Sequence, residues 1–341
     1  MTKSVFILGP CAAETEEQVM ATAKAIKRLT VDDAQCTVDD IIFRAGIWKP
    51  RTSPNTFQGI GTEGLYWLQR VQAEIGLDCA TEVVNTEQLQ AVADAHIPYI
   101  WIGARTSANP IAVQEISDAL CALTERNKHV FKGVFIKNPV NEDVALWIGN
   151  IERLEQCGLP IAAIHRGCNH HPCWKMAYEL HQQRPDIPIL LDPSHMSGDS
   201  NRVPELCAKG AELGYNGYMV EVHIQPKEAW SDAQQQIEPN AIRRLTMHDA
   251  QCTMHATELL WQRAMMDEID DALWSILKQR MDISQQIGVW KKAHGVDIVQ
   301  PERYQDILQR RLTWAAAHNI RPEAVLQIMD AIHTESVRIQ S

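Results

Sequence analysis

Three things are scarce in this chain, and each absence excludes a class of protein. No window approaches the ~18 uninterrupted apolar residues that a membrane-spanning helix requires, so no membrane partner is expected. No CxxC pair occurs, and nine cysteines at irregular spacing do not make a disulfide framework. A reducing cytoplasm is the expected compartment, with most thiols acting as small buried hydrophobes. Positive charge is in the minority, 32 Lys plus Arg against 43 Asp plus Glu for a net charge of −11, so nucleic acid is not an expected partner. The apolar run in the N-terminal MTKSVFILGPCAAETEEQ is short and meets acid at once, so no secretory signal is expected there. The remaining composition, 45% hydrophobic and 22% charged over 341 residues, is that of a globular chain with one large domain and one small one.

Short apolar runs alternate with amphipathic stretches through the first two thirds. Strands are predicted at Val5–Leu8, Ile41–Arg44, Cys79–Val83, Tyr99–Ile102, Val134–Ile136, Ile161–Ile164, Ile189–Leu191 and Tyr218–Val222. Helical patterns fall between them, as in Glu16–Lys27, Thr86–Ala95, Asn109–Leu123, Asn141–Cys157 and Val203–Leu213. Eight such units predict a (β/α)8 barrel over 1–240. A doubly wound open sheet alternates in the same way, but the polar residues separate the two. Cys11 follows the first run, Arg44 and Lys49 the second, and Glu82 the third. Arg105 follows the fourth, Lys137 the fifth, His165 with Arg166 the sixth, Asp192 with His195 the seventh, and Glu221 with His223 the eighth. A closed barrel brings all of these to one mouth, whereas an open sheet spreads them along a line.

Beyond a linker at 241–257 the chain has no strand signal and, from Glu258 on, no glycine except Gly288 and Gly295. Glu258–Lys292 keeps one helical period through Leu259, Met266, Ile269, Leu273, Ile276, Ile283 and Ile287. A helix of that length spans ~50 Å and needs a partner for its apolar stripe. Gly295 ends it, Pro301 opens a second helix and Pro322 a third. The expectation for 258–341 is a three-helix, all-α domain that dimerises. Pairing of dimers into tetramers stays open. One oddity has no physical account: RLTMHDAQCT (Arg244–Thr253) nearly repeats RLTVDDAQCT (Arg28–Thr37).

Cys11, His195, Glu221 and Asp232 form a mixed sulfur, nitrogen and oxygen set suited to a divalent transition metal such as Mn, Fe, Co or Zn. On spacing alone Cys11 reads as a packed thiol and Asp232 as a solvated loop acid; only barrel closure would gather them. Arg44, Lys49, Arg105, Lys137 and Arg166 come from five strand ends. They read either as snorkelling surface cations or, converging, as a clamp for phosphate and carboxylate groups. CNHHPCWKMAYELHQQ is rich in His and Cys but fits no standard metal spacing, and reads as a loop leading into a helix. His165 and His223 read as wall residues of the mouth.

GPCAAET, FRAGIWKPRTSP, ATEV, WIGARTS, IKNP, AIHRG, LDPSH and VEVHIQPKEAWSDAQQQ together resemble the metal-dependent 3-deoxy-D-arabino-heptulosonate 7-phosphate synthases, in their short bacterial form without an N-terminal extension. The resemblance runs through residues 4–240. It implies condensation of phosphoenolpyruvate with erythrose 4-phosphate, the first step of the shikimate pathway. It assigns Cys11, His195, Glu221 and Asp232 as ligands of a divalent ion, Mn first, and Arg44, Lys49, Arg105, Lys137, Arg166 and His195 to phosphoenolpyruvate. Arg51 and Thr52, in KPRTS, match residues that grip the sugar phosphate. Lys49, or Asp232 through water, is the expected proton donor to the new hydroxyl. The related octulosonate 8-phosphate synthases, which take arabinose 5-phosphate, resemble KANRS where this chain has KPRTS, so the erythrose sugar is expected.

Thr257–Gln340 resembles the all-helical chorismate mutases, in register without gaps. That resemblance assigns Arg263, Arg280, Lys291, Arg303, Ser336 and Gln340 to chorismate, with Lys291 and Gln340 on either side of the breaking C–O bond and Arg263 supplied by the second chain. Where the family carries Asp this chain has Gln300, and where it carries Glu it has Tyr304; both can hydrogen-bond and neither is charged. The expectation is a bifunctional enzyme, inhibited by prephenate or chorismate. The alternative is the same synthase with a tail that only binds and dimerises.

Overall fold

The computed structural model describes residues 5–31, 41–50, 55–245 and 254–341. Eight strands, β1 (Val5–Gly9), β2 (Ile41–Arg44), β3 (Asp78–Val83), β4 (Tyr99–Ile102), β5 (Gly133–Lys137), β6 (Ile161–His165), β7 (Ile189–Leu191) and β8 (Gly217–Glu221), pair in chain order. Each is parallel to the next, and β8 returns to β1, so the sheet is a closed barrel. Around it lie α1 (Glu16–Val31), α2 (Glu63–Arg70), α3 (Thr86–Asp94), α4 (Ala104–Ser107), α5 (Pro110–Arg126), α6 (Val144–Glu155), α7 (Trp174–Gln183), α8 (Pro193–Ser197) and α9 (Val203–Glu212). The predicted strands match to within a residue at each end. Helices α5 and α6 begin later than the periodicity suggests, because polar residues ahead of them act as caps. Asn109 accepts from the amides of Ile111 and Ala112 at 3.1 and 3.3 Å, and Asp143 from that of Leu146 at 2.8 Å.

Alternation with period two sorts the strand side chains into two shells. Ile7, Ile42, Ala80, Trp101, Phe135, Ile164, Leu190 and Met219, one from each strand, fill the barrel interior as a single apolar cluster. Their neighbours, such as Leu8, Phe43 and Ile136, point outward and join the larger core under the helices. Two residues beyond each inner apolar position come Gly9, Arg44, Glu82, Gly103, Lys137, Arg166, Asp192 and Glu221. The same parity that packs the interior therefore turns this set toward the carboxyl-terminal mouth. Its two glycines are sterically required. A Cβ on Gly9, whose φ is +149°, would lie 2.1 Å from the Arg44 carbonyl oxygen, and one on Gly103 would overlap the Glu82 carboxylate.

The chain divides into two compact units, Met1–Met265 and Met266–Ser341. In the first, Trp261 is buried against Trp174, Tyr178 and Tyr215. The remaining helices are α10 (Met254–His294), α11 (Pro301–Ala317) and α12 (Pro322–Gln340). Helix α10 starts four residues before the predicted Glu258 and ends where expected, with Gly295 left-handed at φ +66°. Within the second unit α12 runs parallel to α10 at a constant offset. Arg280 Nη1 donates to Ser336 Oγ at 2.5 Å and Gln340 Nε2 to Ser284 Oγ at 2.9 Å. The two near-repeat decapeptides fall largely outside the described residues.

Candidate active site

The mouth is held together by buried charge. Arg44, 1% exposed, donates from Nη2 to Glu221 Oε1 at 3.1 Å and to the Cys11 carbonyl at 3.4 Å, and its guanidinium lies 4.9 Å from the Trp101 ring centroid. Among the described residues its Nε and Nη1 are buried without a partner. Glu221 also accepts from Gln235 Nε2 at 2.8 Å and is held through its own amide by Ser194 Oγ at 3.0 Å. At the adjoining end of β7, Asp192, fully buried, accepts from Lys137 Nζ at 2.6 Å and lies 2.9 Å from His195 Nδ1. Asp192 also caps α8 by accepting the His195 amide at 3.1 Å, which fixes the backbone that carries the ring.

Two residues beyond Gly9, Cys11 is fully buried. Lys49 Nζ donates to its sulfur at 2.8 Å and to its carbonyl at 3.1 Å, the thiol donates to Asp232 Oδ2 at 3.0 Å, and Gln236 Oε1 accepts its amide at 3.0 Å. Ligand atoms of Cys11, His195 and Glu221 all lie within 4.8 Å of one another, with His195 Nε2 3.5 Å from Glu221 Oε1. The contact from Cys11 to Asp232 depends on a proton lying between a soft sulfur and a carboxylate. A cation can take that proton's place, so the donor set fits a divalent metal. Asp232 is itself left-handed at φ +52°, a costly conformation for a residue with a Cβ.

Burial raises the Cys11 thiol above its ordinary pKa, reinforced by Glu221 and only partly opposed by Lys49. For Lys49, burial works to deprotonate the ammonium, but Cys11 and Glu221 outweigh it and hold the pKa above its ordinary value. Burial dominates at Lys137 and His195 and lowers both, against the pull of Asp192. Glu221 and Asp192 stay below the usual carboxylate range. Burial opposes this, but His195 with Arg44 at the first, and His195 with Lys137 at the second, overcome it.

Above the charges lies a cavity of about 220 Å3 walled by Lys49, Arg105, Lys137, Arg166, His195 and Asp232, with Glu82, His170 and Gln235 at its sides. Among the described residues neither the Arg105 nor the Arg166 guanidinium is paired with a carboxylate. Apart from His165 and His223, every expected mouth residue in the described part of the chain is at this cavity or within two contacts of it. Arg51 and Thr52 lie outside the described residues. His165 is not a wall residue. Its odd-numbered place on β6 turns it outward, where it is fully buried, 2.7 Å from Tyr215 Oη through Nδ1 and ringed by Trp147 and Trp174; burial lowers its pKa to about 3. His223 is buried near Glu14, 3.6 Å from its carboxylate. Asp192, Ser194, Gln235 and Gln236 act here without having been singled out for a role. Only their position inside LDPSH and AQQQ pointed to them, because a buried polar partner has no pattern of its own.

In the second unit Arg280 meets Ser336, and Lys291 Nζ donates to the Ile298 carbonyl at 2.7 Å. Gln340 meets Ser284 through Nε2 and keeps a buried, unpartnered Oε1. Gly288 allows this approach, since a Cβ there would lie 2.7 Å from Gln340 Cα. Tyr304 stacks on His333 with centroids 4.0 Å apart. Arg303 and Gln300 are exposed, and Arg263 is exposed on the part of α10 that belongs to the first unit.

Comparison with known proteins agrees with this division. The profile of the DAHP synthetase I family matches residues 2–258, and that of the type II chorismate mutases matches 262–341. A phospho-2-dehydro-3-deoxyheptonate aldolase of Thermotoga maritima is 29% identical over 249 residues, covering 70% of this chain and 67% of the relative. A 2-dehydro-3-deoxyphosphooctonate aldolase of Helicobacter hepaticus is 26% identical over 260 residues, covering 70% of this chain and 92% of its own. The crystal structure of the Thermotoga maritima DAHP synthase superposes with a TM-score of 0.59 at 26% identity, over 72% of this chain and 67% of that one.

Asp192 is the one carboxylate paired with Lys137 among the described residues and also orients His195, so its neutralisation is a direct test of the mouth. Asp192→Asn is expected to cost ~3–5 kcal/mol of barrel stability by stranding the Lys137 ammonium. The wild-type contribution is present above the unfolded carboxylate pKa and is lost as pH falls through the depressed folded value, so the variant should also lose that acid sensitivity. Thermal unfolding of both proteins between pH 3 and 7 measures this; equal midpoints throughout would refute it.

Proposed function

Because the chain belongs to the DAHP synthetase I family and ends in a type II chorismate mutase domain, we propose that its buried mouth charges carry the first of its two reactions and the α10–α12 polar face the second. The chain condenses phosphoenolpyruvate with erythrose 4-phosphate and rearranges chorismate to prephenate, two steps of aromatic biosynthesis on anionic substrates. The observation that carries the site reading is Arg44. Among the described residues its Nε and Nη1 lack acceptors, so this buried guanidinium adds positive charge beneath a cavity walled by Lys49, Arg105, Lys137 and Arg166, and that surplus calls for an anion in the cavity.

In this reading Arg44, Lys49, Arg105, Lys137, Arg166 and His195 bind phosphoenolpyruvate, and Arg51 with Thr52 binds the sugar phosphate. Clamping both anions removes the orientational entropy of a two-substrate reaction. Cys11, His195, Glu221 and Asp232 would hold a divalent ion, Mn first, with Fe, Co or Zn as alternatives. Lewis acidity toward the sugar aldehyde oxygen is what such an ion supplies when bound. Lys49, kept protonated by Cys11 and Glu221, is the proposed donor of the proton that the new hydroxyl needs. Asp192 keeps His195 in one tautomer, with Nε2 facing Glu221.

In the tail, Arg280 and Arg303 with Arg263 of a second copy take the substrate carboxylates, and Lys291 and Gln340 flank the ether oxygen, aided by Ser336. The rearrangement needs only a compact conformer and stabilised charge on that oxygen. A second copy is proposed because the unit has almost no core of its own. Among its described residues Ala315 is the one apolar side chain fully buried, while Ile269, Leu273, Ile276 and Ile283 are 57–63% exposed at steps of four, three and seven residues along α10. A homodimer through this stripe is the proposed assembly, with inhibition of the barrel by prephenate or chorismate as the proposed regulation. Among the described residues no helix is long and apolar enough to cross a membrane; the cytoplasm is the proposed compartment on the irregular cysteine spacing.

Treating the full chain with a chelator should abolish phosphoenolpyruvate consumption with erythrose 4-phosphate, and Mn should restore it, while chorismate loss continues throughout. Retained synthase activity after metal removal would overturn the ligand assignment; absent chorismate turnover with retained binding would leave the tail a sensor. Lys49→Ala should lower synthase kcat by ~10²–10⁴-fold and leave the mutase rate alone; full synthase turnover would remove Lys49 as proton donor. Leu273→Asp should convert a dimer to a monomer in sedimentation velocity, and an unchanged sedimentation coefficient would redirect the search to another face.

A further inference from the structure

A second group of ligating side chains converges in the first unit, apart from the mouth set. Among the described residues two such groups occur, and the second is Glu142, Cys168 and Cys173, with one ligand atom of each within 4.8 Å of the others. The residues come from two loops. Glu142 lies between β5 and α6, and both cysteines lie between β6 and α7. Their separation of five residues matches no familiar spacing, and folding explains why the sequence hid the group. Gly167, left-handed at φ +66°, turns the chain after Arg166. The amides of Cys168 and His171 then donate to each other's carbonyls at 2.9 Å across a two-residue turn, with Asn169 and His170 left-handed at φ +49° and +63°. That hairpin returns Cys173 beside Cys168. Cys173 is itself left-handed at φ +51° and its thiol donates to Glu142 Oε1 at 3.3 Å. Both cysteines are buried and Glu142 is exposed, so the group is a lined recess with one wet side.

The geometry points to a second metal site, in which the thiolates of Cys168 and Cys173 and the carboxylate of Glu142 hold a Zn2+ ion with water as fourth ligand. Two sulfurs and one oxygen suit zinc better than the harder divalent ions. The ion would replace the thiol protons, which leave to solvent, and no oxidant is involved. Its role is structural. The pinned hairpin starts next to Arg166 and carries His170 into the wall of the catalytic cavity. Asn138 ties the same two loops together, accepting the Arg166 amide at 2.7 Å and donating to the Gly167 carbonyl at 3.1 Å. An ion spanning Glu142 and the cysteines adds a second clamp to that junction.

The test is a metal count on the full chain, purified with reductant and without chelator. Wild type should carry one more equivalent of zinc than Cys168→Ser/Cys173→Ser. In a Cys11→Ser background, which removes the mouth thiolate, substitution with Co2+ should give a thiolate-to-cobalt charge-transfer band that Glu142→Ala weakens and the double serine variant abolishes. Chelator should unmask two thiols to an aromatic disulfide reagent in that background. Should the double variant fail to fold, the zinc content and thiol unmasking of the Cys11→Ser chain decide the matter alone. Two thiols that titrate freely before chelation, with no zinc retained, would overturn the proposal. So would a peptide map, after alkylation without reductant, in which Cys168 and Cys173 carry no alkyl group and are joined by a disulfide.

Discussion

Charges fully removed from water persist in this protein only as partners. Glu221 and Arg44 meet at 3.1 Å over the end of β1, and Lys137 and Asp192 at 2.6 Å over the end of β6. None of these groups would stay ionised alone at such depth. Barrel closure makes the first pair: β8 docks on β1 with Glu221 opposite Gly9, and the missing side chain at Gly9 lets the β2 backbone and Arg44 come close. The rest of the mouth is arranged around that pair. Cys11 takes up the ammonium of Lys49, and His195 is set between Asp192 and Glu221.

Pairing at the mouth is also incomplete in a directed way. Among the described residues Arg44 has two buried donors without acceptors, and Arg105 and Arg166 line the cavity without a carboxylate partner. A site that neutralised every cation internally would leave nothing for an anionic substrate. Here the surplus is positive in a chain whose total is −11, so the field draws anions to one place while the remaining surface repels them. The helical unit solves a smaller problem with fewer parts. Its polar contacts, Arg280 to Ser336 and Gln340 to Ser284, lie four residues apart on α10, and helical spacing puts Arg280 between Ile276 and Ile283 of the apolar stripe, with Ser284 at the edge of that stripe. One long helix can thus serve a site and an assembly surface together.

Periodicity and punctuation were legible from the residues alone. Short apolar runs located all eight strands, since a parallel strand buried on both faces is apolar throughout, and Pro301, Pro322 and Gly295 marked the ends of the tail helices, because φ restriction and the lost amide act locally wherever the chain later packs. The mouth residues were legible as a class, since charge directly after a strand is costly unless a barrel mouth receives it. The helix starts at α5 and α6 were misjudged because a capping Asn or Asp looks, in sequence, like the first turn it terminates. His165 was misplaced because adjacent residues on a strand face opposite shells, so that Arg166 enters the mouth and His165 the helix layer.

The amino-acid order by itself determined the barrel, the helical tail and the chemical kind of each site, since these follow from local propensity, hydrophobic period and residue type. Only the tertiary structure decided the partners: which carboxylate meets which cation, that Gln235, Gln236 and Ser194 hold Cys11 and Glu221 in place, and that Glu142 reaches the two cysteines beyond Arg166. Contacts between residues 11 and 236, or 142 and 173, arise from strand closure and loop reversal, and no local pattern encodes a distance across a barrel.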